Sequence, residues 1–406
     1  MTGRTVAVIG GGAAGLLACG KLRERAQNVV LIEKNGIFGK KLRITGKGRC
    51  NITNAAKISE FFDNIPTNGK FLYSALNNFT NDDMISLLNS LGVSVKTERG
   101  GRVFPQSDRA HDVADALFRY ARGENVKMLK ASAKEILAEN GVVTGVKTDK
   151  GIIKADSVIL ATGGASYPLT GSSGDGYKMA QMLGHTIIPI KPSLVPLVTD
   201  EKWTAELMGL TLKNVSISLF DMNEKKLYSD FGEMLFTHFG ISGPIVLSAS
   251  AHIKNNIPCR AYIDLKPALD SATLDKRLIR DFEKFSKKHL VNSLEELLPK
   301  ALIPVIIKLA GVDAHKETSK VSKVERLALA KVIKALPLNI CAARPIEEAI
   351  ITSGGVKVSE INPSTMESKL VKGLYFAGEI IDVDAYTGGF NLQIAFSTGA
   401  LAGENA

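Results

Sequence analysis

Gly10, Gly12 and Gly15 form a GxGxxG turn directly after the apolar run Thr5 to Ile9 and at the head of a helical pattern from Ala13 to Ala26. Glycines at this spacing permit a tight turn and close approach of the backbone to a pyrophosphate, whose charge the amides of a helix N-terminus attract. A second apolar run, Val29 to Ile32, ends in Glu33, 18 residues beyond Gly15. A carboxylate there accepts hydrogen bonds from ribose hydroxyls and repels a 2′-phosphate, so the pattern predicts FAD or NAD rather than NADP.

FAD is long, and its flavin half needs support from distant segments. Three segments suit that role. Gly39 to Asn51 contains Lys41, Gly46, Gly48, Arg49, Cys50 and Asn51, where glycines admit close backbone approach and cations can meet phosphate. Ala161-Thr162-Gly163-Gly164 ends a strand of the buried type. Gly378-Glu379 follows another, and Gly388-Gly389-Phe390-Asn391-Leu392 opens the last helix, whose N-terminus would stabilise negative charge on a reduced ring. FAD is therefore the expected cofactor, bound non-covalently because no histidine precedes His111. Only one dinucleotide fingerprint is present. NAD(P)H would thus serve as a transient reductant docking on the flavin, or oxygen would take the electrons.

No catalytic acid or base is marked. The weak candidates are His238 in FTHFGISGP as proton donor or substrate orienter, Tyr167 as proton donor and Arg102 as anion clamp. Each has an ordinary alternative as a turn-holding, packing or ion-paired residue. Cys50 has no partner cysteine nearby and is expected to pack under the cofactor rather than attack it. Asp175, between Gly174 and Gly176, is expected to cap a helix, while Asp382 and Asp384 either position ribityl hydroxyls or end a turn.

The elements that must position these groups begin with a βαβ unit over the first 33 residues. Short strands at Ala133 to Leu137, Val142 to Lys147 and Ile152 to Lys154, punctuated by Asn140-Gly141 and Asp149-Lys150-Gly151, form a meander. It leads into the buried strand Ser157 to Ala161 and a glycine-rich run to Gly176. Proline-punctuated β-rich runs follow, then a helical period from about Leu274 to Ala335. Strand, glycine turn and helix return after Arg344, with a strand at Gly373 to Ala377 and a helix from about Leu392 to Ala402. The expected fold is α/β: residues 1–189 and 344–406 form a discontinuous dinucleotide domain, interrupted by a barrel-like β domain over 190–270 and a helical part over 271–343.

With 406 residues, 45% of them hydrophobic and 23% charged, the chain can bury a large core and is not disordered. No apolar run reaches the ~18 residues of a membrane span, and no signal-peptide core is present, so a cytoplasmic protein without a membrane partner is expected. Cys19, Cys50, Cys259 and Cys341 stand far apart, which argues against a disulfide framework or a metal site. Of the net charge of +10, much comes from Asp275 to Pro337, with 14 Lys/Arg against 8 Asp/Glu. The mixing of signs at helical spacing without aromatics favours a solvated face over a nucleic-acid groove. Oligomeric state is not legible.

The motifs TGKGRCNITN at 45–54, GGRVFPQSDRA at 100–110, ATGGASYPLTGSSGDGY at 161–177, FTHFGISGP at 236–244 and the stretch 365–399 resemble the bacterial BaiN-like (YhiN-type) flavoproteins over nearly the whole chain. Ala385 and Phe390 stand where many members have Gly and Tyr. The resemblance implies a glutathione-reductase-type FAD-binding Rossmann-like domain carrying an inserted β-barrel and helical domain. It also implies an NAD(P)/FAD-dependent oxidoreductase with aminoacetone oxidase and 3-dehydro-bile acid reductase relatives. By position it places Gly10, Gly12, Ala13, Ala14, Gly15, Glu33, Lys34, Lys41, Gly46, Gly48, Arg49, Cys50, Asn51, Ala133, Ala161, Thr162, Gly163, Gly378, Glu379, Gly389, Phe390, Asn391 and Leu392 around FAD. Hydride transfer through flavin N5 follows, most simply as NAD(P)H-linked reduction of an unsaturated ketone or other small carbonyl compound. The alternatives are an oxygen-dependent amine or aminoketone oxidase and, from another class, a flavin-containing RNA-binding or RNA-modifying protein.

Overall fold

A computed structural model describes residues 4–25, 27–253 and 257–406. The chain divides into two compact units, Met1–Ser193 with Ile346–Ala406, and Leu194–Pro345. Among the described residues no helix is long and apolar enough to cross a membrane.

The first unit is built on a parallel sheet whose strands run in the order Leu374–Phe376, Ser157–Leu160, Thr5–Ile9, Asn28–Glu33 and Val126–Lys130. The inner strands are short continuous apolar runs because both of their faces are covered, and Val6, Val8, Ile159, Leu160 and Phe376 are wholly buried, whereas the edge strand Val126–Lys130 exposes Lys127 and Lys130. The first helix, Ala13–Glu24, and the last, Phe390–Asn405, pack closely on one another. A Cβ on Gly399 would lie 2.4 Å from the Ala14 carbonyl oxygen, and one on Gly403 2.6 Å from that of Ala18, so only glycine admits this approach. The first helix ends at Glu24, short of the expected Ala26, which lies outside the described residues.

The meander forms as Ala133–Glu139, Val142–Thr148 and Gly151–Lys154. Its first turn places Asn140 and Gly141 at φ 50° and 75°, the two positive angles that an Asn-Gly hairpin supplies at low cost.

The structure moves the unit boundary relative to the sequence reading. Residues 190–193, read as the start of the insert, belong to the strand Ile187–Ser193, which carries Pro189 and Pro192 and pairs antiparallel with Ile351–Val356 inside the first unit. Proline is tolerated there because the sheet has only two strands and shifts register between Ile188 and Lys191.

The second unit contains a closed barrel ordered Leu197–Thr199, Gly240–Ser242, Lys226–Thr237, Thr211–Phe220, Cys259–Asp264 and Leu336–Ala343. The last of these corrects the expected helical part, 271–343: its final eight residues are a strand that closes the barrel between the first and fifth. Leu336, Leu338 and Ile340 alternate inward, a period-2 signal obscured by the helical run before it. The helices Ser271–Lys284, Ile303–Ala310 and Lys323–Lys334 bury Leu274, Leu278, Ile306, Leu329 and Ile333. The third begins with a capping box in which Ser322 and Glu325 satisfy each other's backbone amides.

Candidate cofactor site

The glycine turn is closed on two sides and open on the third. A Cβ on Gly10, at φ 108°, would lie 2.4 Å from the Ala161 carbonyl oxygen, and one on Gly15 would lie 1.8 Å from that of Gly10. One on Gly12 would meet nothing within 4 Å. No side chain caps the first helix at Gly12, so the amides of its first turn, through Ala13, Ala14 and Gly15, face outward without a capping acceptor. Thr162 adjoins Gly10, and its hydroxyl is buried with no hydrogen-bond partner. Glu33, at the end of its strand, accepts from the Gly11 amide at 2.7 Å through one oxygen. Its other oxygen accepts from the Asn35 amide at 2.7 Å and the Asn35 side chain at 2.8 Å. The carboxylate is thereby fixed beside the turn with acceptor capacity remaining.

Residues 34–41 are laced to the run 166–175. Lys34 donates to Ser173 and to Asp175, the latter at 2.6 Å; Asn35 donates to the Thr170 carbonyl at 3.1 Å; Lys40 donates to that of Leu169 at 2.6 Å. Lys34, expected at the cofactor, therefore spends its ammonium on this lacing. Asp175 is not the cap: Gly174 holds that position at φ 77°, and Asp175 is the first helical residue. Burial pushes its carboxyl up, but the Lys34 ammonium and Ser173 hydroxyl hold it below the usual carboxylate range.

Lys41 donates to Ser166 Oγ at 2.8 Å and to Glu379 Oε2 at 2.6 Å. Glu379 Oε1 accepts from the Thr352 amide at 2.8 Å and from Ser166 Oγ at 3.1 Å, and Thr352 Oγ1 accepts from the amides of Ala165 and Ser166. Burial raises the Glu379 carboxyl, yet Lys41 and these donors bring it below its ordinary value. Ser166 and Thr352 were not singled out from sequence. Thr352 lies in a strand with no chemical motif, and only tertiary contact shows its role.

Gly378, at φ 79°, lies against Ala14: a Cβ there would be 3.0 Å from the Ala14 Cβ. Gly46, Gly48 and Cys50 take φ values of 58°, 85° and 60°, a loop bent back so that Asn51 accepts from the Gly389 amide at 3.0 Å. The last helix starts at Phe390 behind Gly389 without a side-chain cap, so the amides of Asn391 and Leu392 belong to an uncapped first turn. The Asn391 side chain is committed to Ala385 and Tyr386.

The structure thus brings the glycine turn, Glu33, Ala161 to Gly163, Lys41, Gly378 and Glu379 together in one unit, with the 46–51 loop at the start of the last helix. Ala133 begins the meander strand near Glu33, whose carbonyl accepts from the Ala131 amide at 3.0 Å. Arg49 is turned away to other work. Its guanidinium holds Glu98 and Asp108, with Nη2 to Asp108 at 2.6 Å, and lies 4.2 Å from the Phe104 ring centre. Burial pushes the Cys50 thiol up to about 12, which leaves it protonated and unreactive.

Arg102 is exposed, donates to the Arg99 carbonyl at 3.1 Å and lies 3.8 Å from Glu98. Tyr167 is half-buried at φ 52°, next to Ser166. His238 belongs to the second unit, where it is exposed in the turn after Lys226–Thr237 with its ring edge-on to Phe239.

Two features fit FAD: the open face at Gly12 between two closed glycines, and the Glu33 carboxylate held beside the turn by the Gly11 amide.

The chain matches the HI0933-like protein Rossmann domain over residues 4–405. It is similar to the 3-dehydro-bile acid delta(4,6)-reductase of Clostridium scindens, 32% identical over 408 residues that cover 99% of this chain and 98% of that protein. It is also similar to the ribosomal RNA dihydrouridine synthase of Haemophilus influenzae, at 30% identity covering 96% of this chain and 95% of that one. Among solved structures, the Sdh1 complex of Mycobacterium smegmatis shares the fold, with a TM-score of 0.52 at 18% identity, covering 99% of this chain and 68% of that one. The chain belongs to the HI0933-like Rossmann family.

Proposed function

We propose that the protein is an FAD-dependent oxidoreductase that uses NAD(P)H to reduce a carbon–carbon double bond conjugated to a carbonyl. The observation that carries this reading is the glycine turn, open at Gly12, with Glu33 fixed beside it. The reductase of Clostridium scindens is named for double bonds conjugated to a 3-keto group. The synthase of Haemophilus influenzae is named for dihydrouridine, in which the uracil bond conjugated to a ring carbonyl is reduced. One reaction class covers both: the β carbon gains a hydride, the α carbon gains a proton, and NAD(P)H leaves as NAD(P)+.

Bound FAD supplies the hydride relay between the two substrates. The chain supplies binding and orientation. The amides from Gly12 to Gly15 would hold the pyrophosphate, Glu33 would accept from ribose hydroxyls, and the uncapped first turn of the last helix would stabilise negative charge on the reduced ring. Lys41 and Glu379 fix Ser166, whose neighbour Tyr167 is the candidate proton donor.

A second reading places the conjugated bond in RNA. It is favoured by the relatives named for ribosomal RNA and by the basic stretch from Asp275 to Pro337.

Anaerobic titration with NADH and NADPH tests the proposal. Bleaching of the flavin absorbance, followed by its return on adding a 4-en-3-one steroid or a uridine-containing RNA, is the expected result. A flavin that stays oxidised with both nicotinamides overturns it in favour of the oxidase.

A further inference from the structure

We propose that the outer face and C-terminal corner of the helix Ser271–Lys284 form a docking surface for the phosphate backbone of RNA. This rests on the reading in which the reduced double bond is a uracil. Four acids of the second unit's helical part are taken up in pairs with cations. Asp275 holds Arg326 at 2.7 Å, Asp281 holds Arg277 at 2.6 Å, Glu296 holds Lys284 at 2.6 Å and Glu325 holds Lys316 at 2.7 Å. Among the described residues, Lys276, Lys287 and Lys288 are exposed outside any carboxylate pair, and Arg280 approaches Asp281 only to 3.9 Å. Glu283 is exposed on the same outer face, so the cations there are in excess over the acids rather than alone.

Lys276 and Arg280 stand one turn apart on the face opposite the buried Leu274, Leu278 and Phe282. The helix dipole explains cations in the last turn, such as Lys284, but gives no support to Lys276 in the N-terminal half. Beyond the last turn, the Phe285 ring lies between Lys284 and Lys288, 4.9 and 4.6 Å from its centre. The rings of His289 and His315 approach to 5.8 Å, brought together by the bridge between His289 and Glu317. Against the expectation that no aromatics interleave with the basic residues, Phe285 and His289 alternate with Lys284, Lys287 and Lys288, and folding adds the ring of His315 to them. Cations that track phosphates, with rings on which bases stack, are the elements of single-strand recognition. An anionic membrane would need an exposed apolar anchor, and Phe285, the largest apolar group of the corner, is half-buried.

The FAD-loaded protein is titrated into a fluorescein-labelled, uridine-rich RNA hairpin at several salt concentrations. The variant K276E/R280E/K287E/K288E is compared with K57E/K127E/K150E/K154E, which makes the same charge change at exposed lysines of the first unit. Flavin absorbance and melting temperature establish that both are folded. The corner variant is expected to lose affinity by at least about tenfold, and its slope of log affinity against log salt to fall by about 3. The control is expected to stay within about threefold of the unaltered protein.

Equal losses in both variants, an unaltered corner variant, or binding of phosphatidylserine vesicles but not RNA each overturn the surface. RNA bound through the corner with no reduction of its uracil leaves the surface standing and rejects the reading. Reduction of a free conjugated ketone by a protein that binds no RNA rejects both the surface and the uracil reading, and leaves the conjugated-ketone reductase standing.

Discussion

Lys41 Nζ donates to Glu379 Oε2 at 2.6 Å across 338 residues of sequence, and the same ammonium reaches Ser166. The pair ties three segments of the first unit together beside the dinucleotide turn. Glu379→Gln leaves Lys41 without its counter-charge and is expected to cost about 1–3 kcal/mol of stability by thermal unfolding. The folded carboxyl lies below its ordinary value, so its stabilisation is present above that value and is lost as pH falls through the folded one. Between about pH 7 and pH 3 the variant is expected to lose less stability than the parent.

Gly12 and Gly10 separate cofactor binding from folding. Gly12→Ala adds a methyl group in open space at φ −85°, so the melting temperature of the cofactor-free protein should hold while FAD affinity falls at least about tenfold. Gly10→Ala forces a Cβ into the Ala161 carbonyl at φ 108°, and here the cofactor-free protein itself should melt lower. Fluorescence titration with FAD and calorimetry read the two effects.

Glu33→Gln keeps the shape of the side chain but removes the charge that faces Gly11 and the ribose position. A loss of about 1–3 kcal/mol in FAD binding is expected, read by equilibrium dialysis. Unchanged FAD affinity sinks the assignment of this site.

His185 is buried, 2.9 Å from Ser368 Oγ, with its ring edge-on to Phe376. Desolvation lowers its pKa despite Glu360 at 3.3 Å, so it folds as the neutral ring. A depressed folded pKa gives stability that is full above the unfolded value of about 6.5 and declines as pH falls below it. The melting temperature should drop between about pH 7.5 and 5.5, and the drop should shrink in His185→Gln.

Cys19, Cys50 and Cys259 are buried and Cys341 is exposed. Burial also pushes the Cys19 thiol up to about 12. Iodoacetamide on the native protein should label Cys341 alone, read by peptide mass spectrometry. Rapid labelling of Cys50 would contradict its role as a packed, protonated thiol.

Local sequence determined the glycine turn, the strand ending in Glu33, the Asn140-Gly141 hairpin and the interruption of the first unit. Each is set by residues within a turn or a strand of one another, where glycine geometry and hydrophobic period act directly. The motifs also carried a family resemblance that agrees with the family matched.

The work of individual polar side chains was decided only by tertiary structure. Arg49 was read as a cation that could meet phosphate among glycines and Lys34 was placed near FAD by the resemblance, and in the fold each pairs with carboxylates from segments far along the chain. Thr352 carried no signal, since its value lies in amides delivered to it by residues 165 and 166. Leu336–Ala343 was hidden behind a helix because a barrel closes only when its last strand finds the first, and that pairing spans more than the local periodicity can record. Charge and hydrogen bonding act at contact distance, and contact between distant segments is created by the fold.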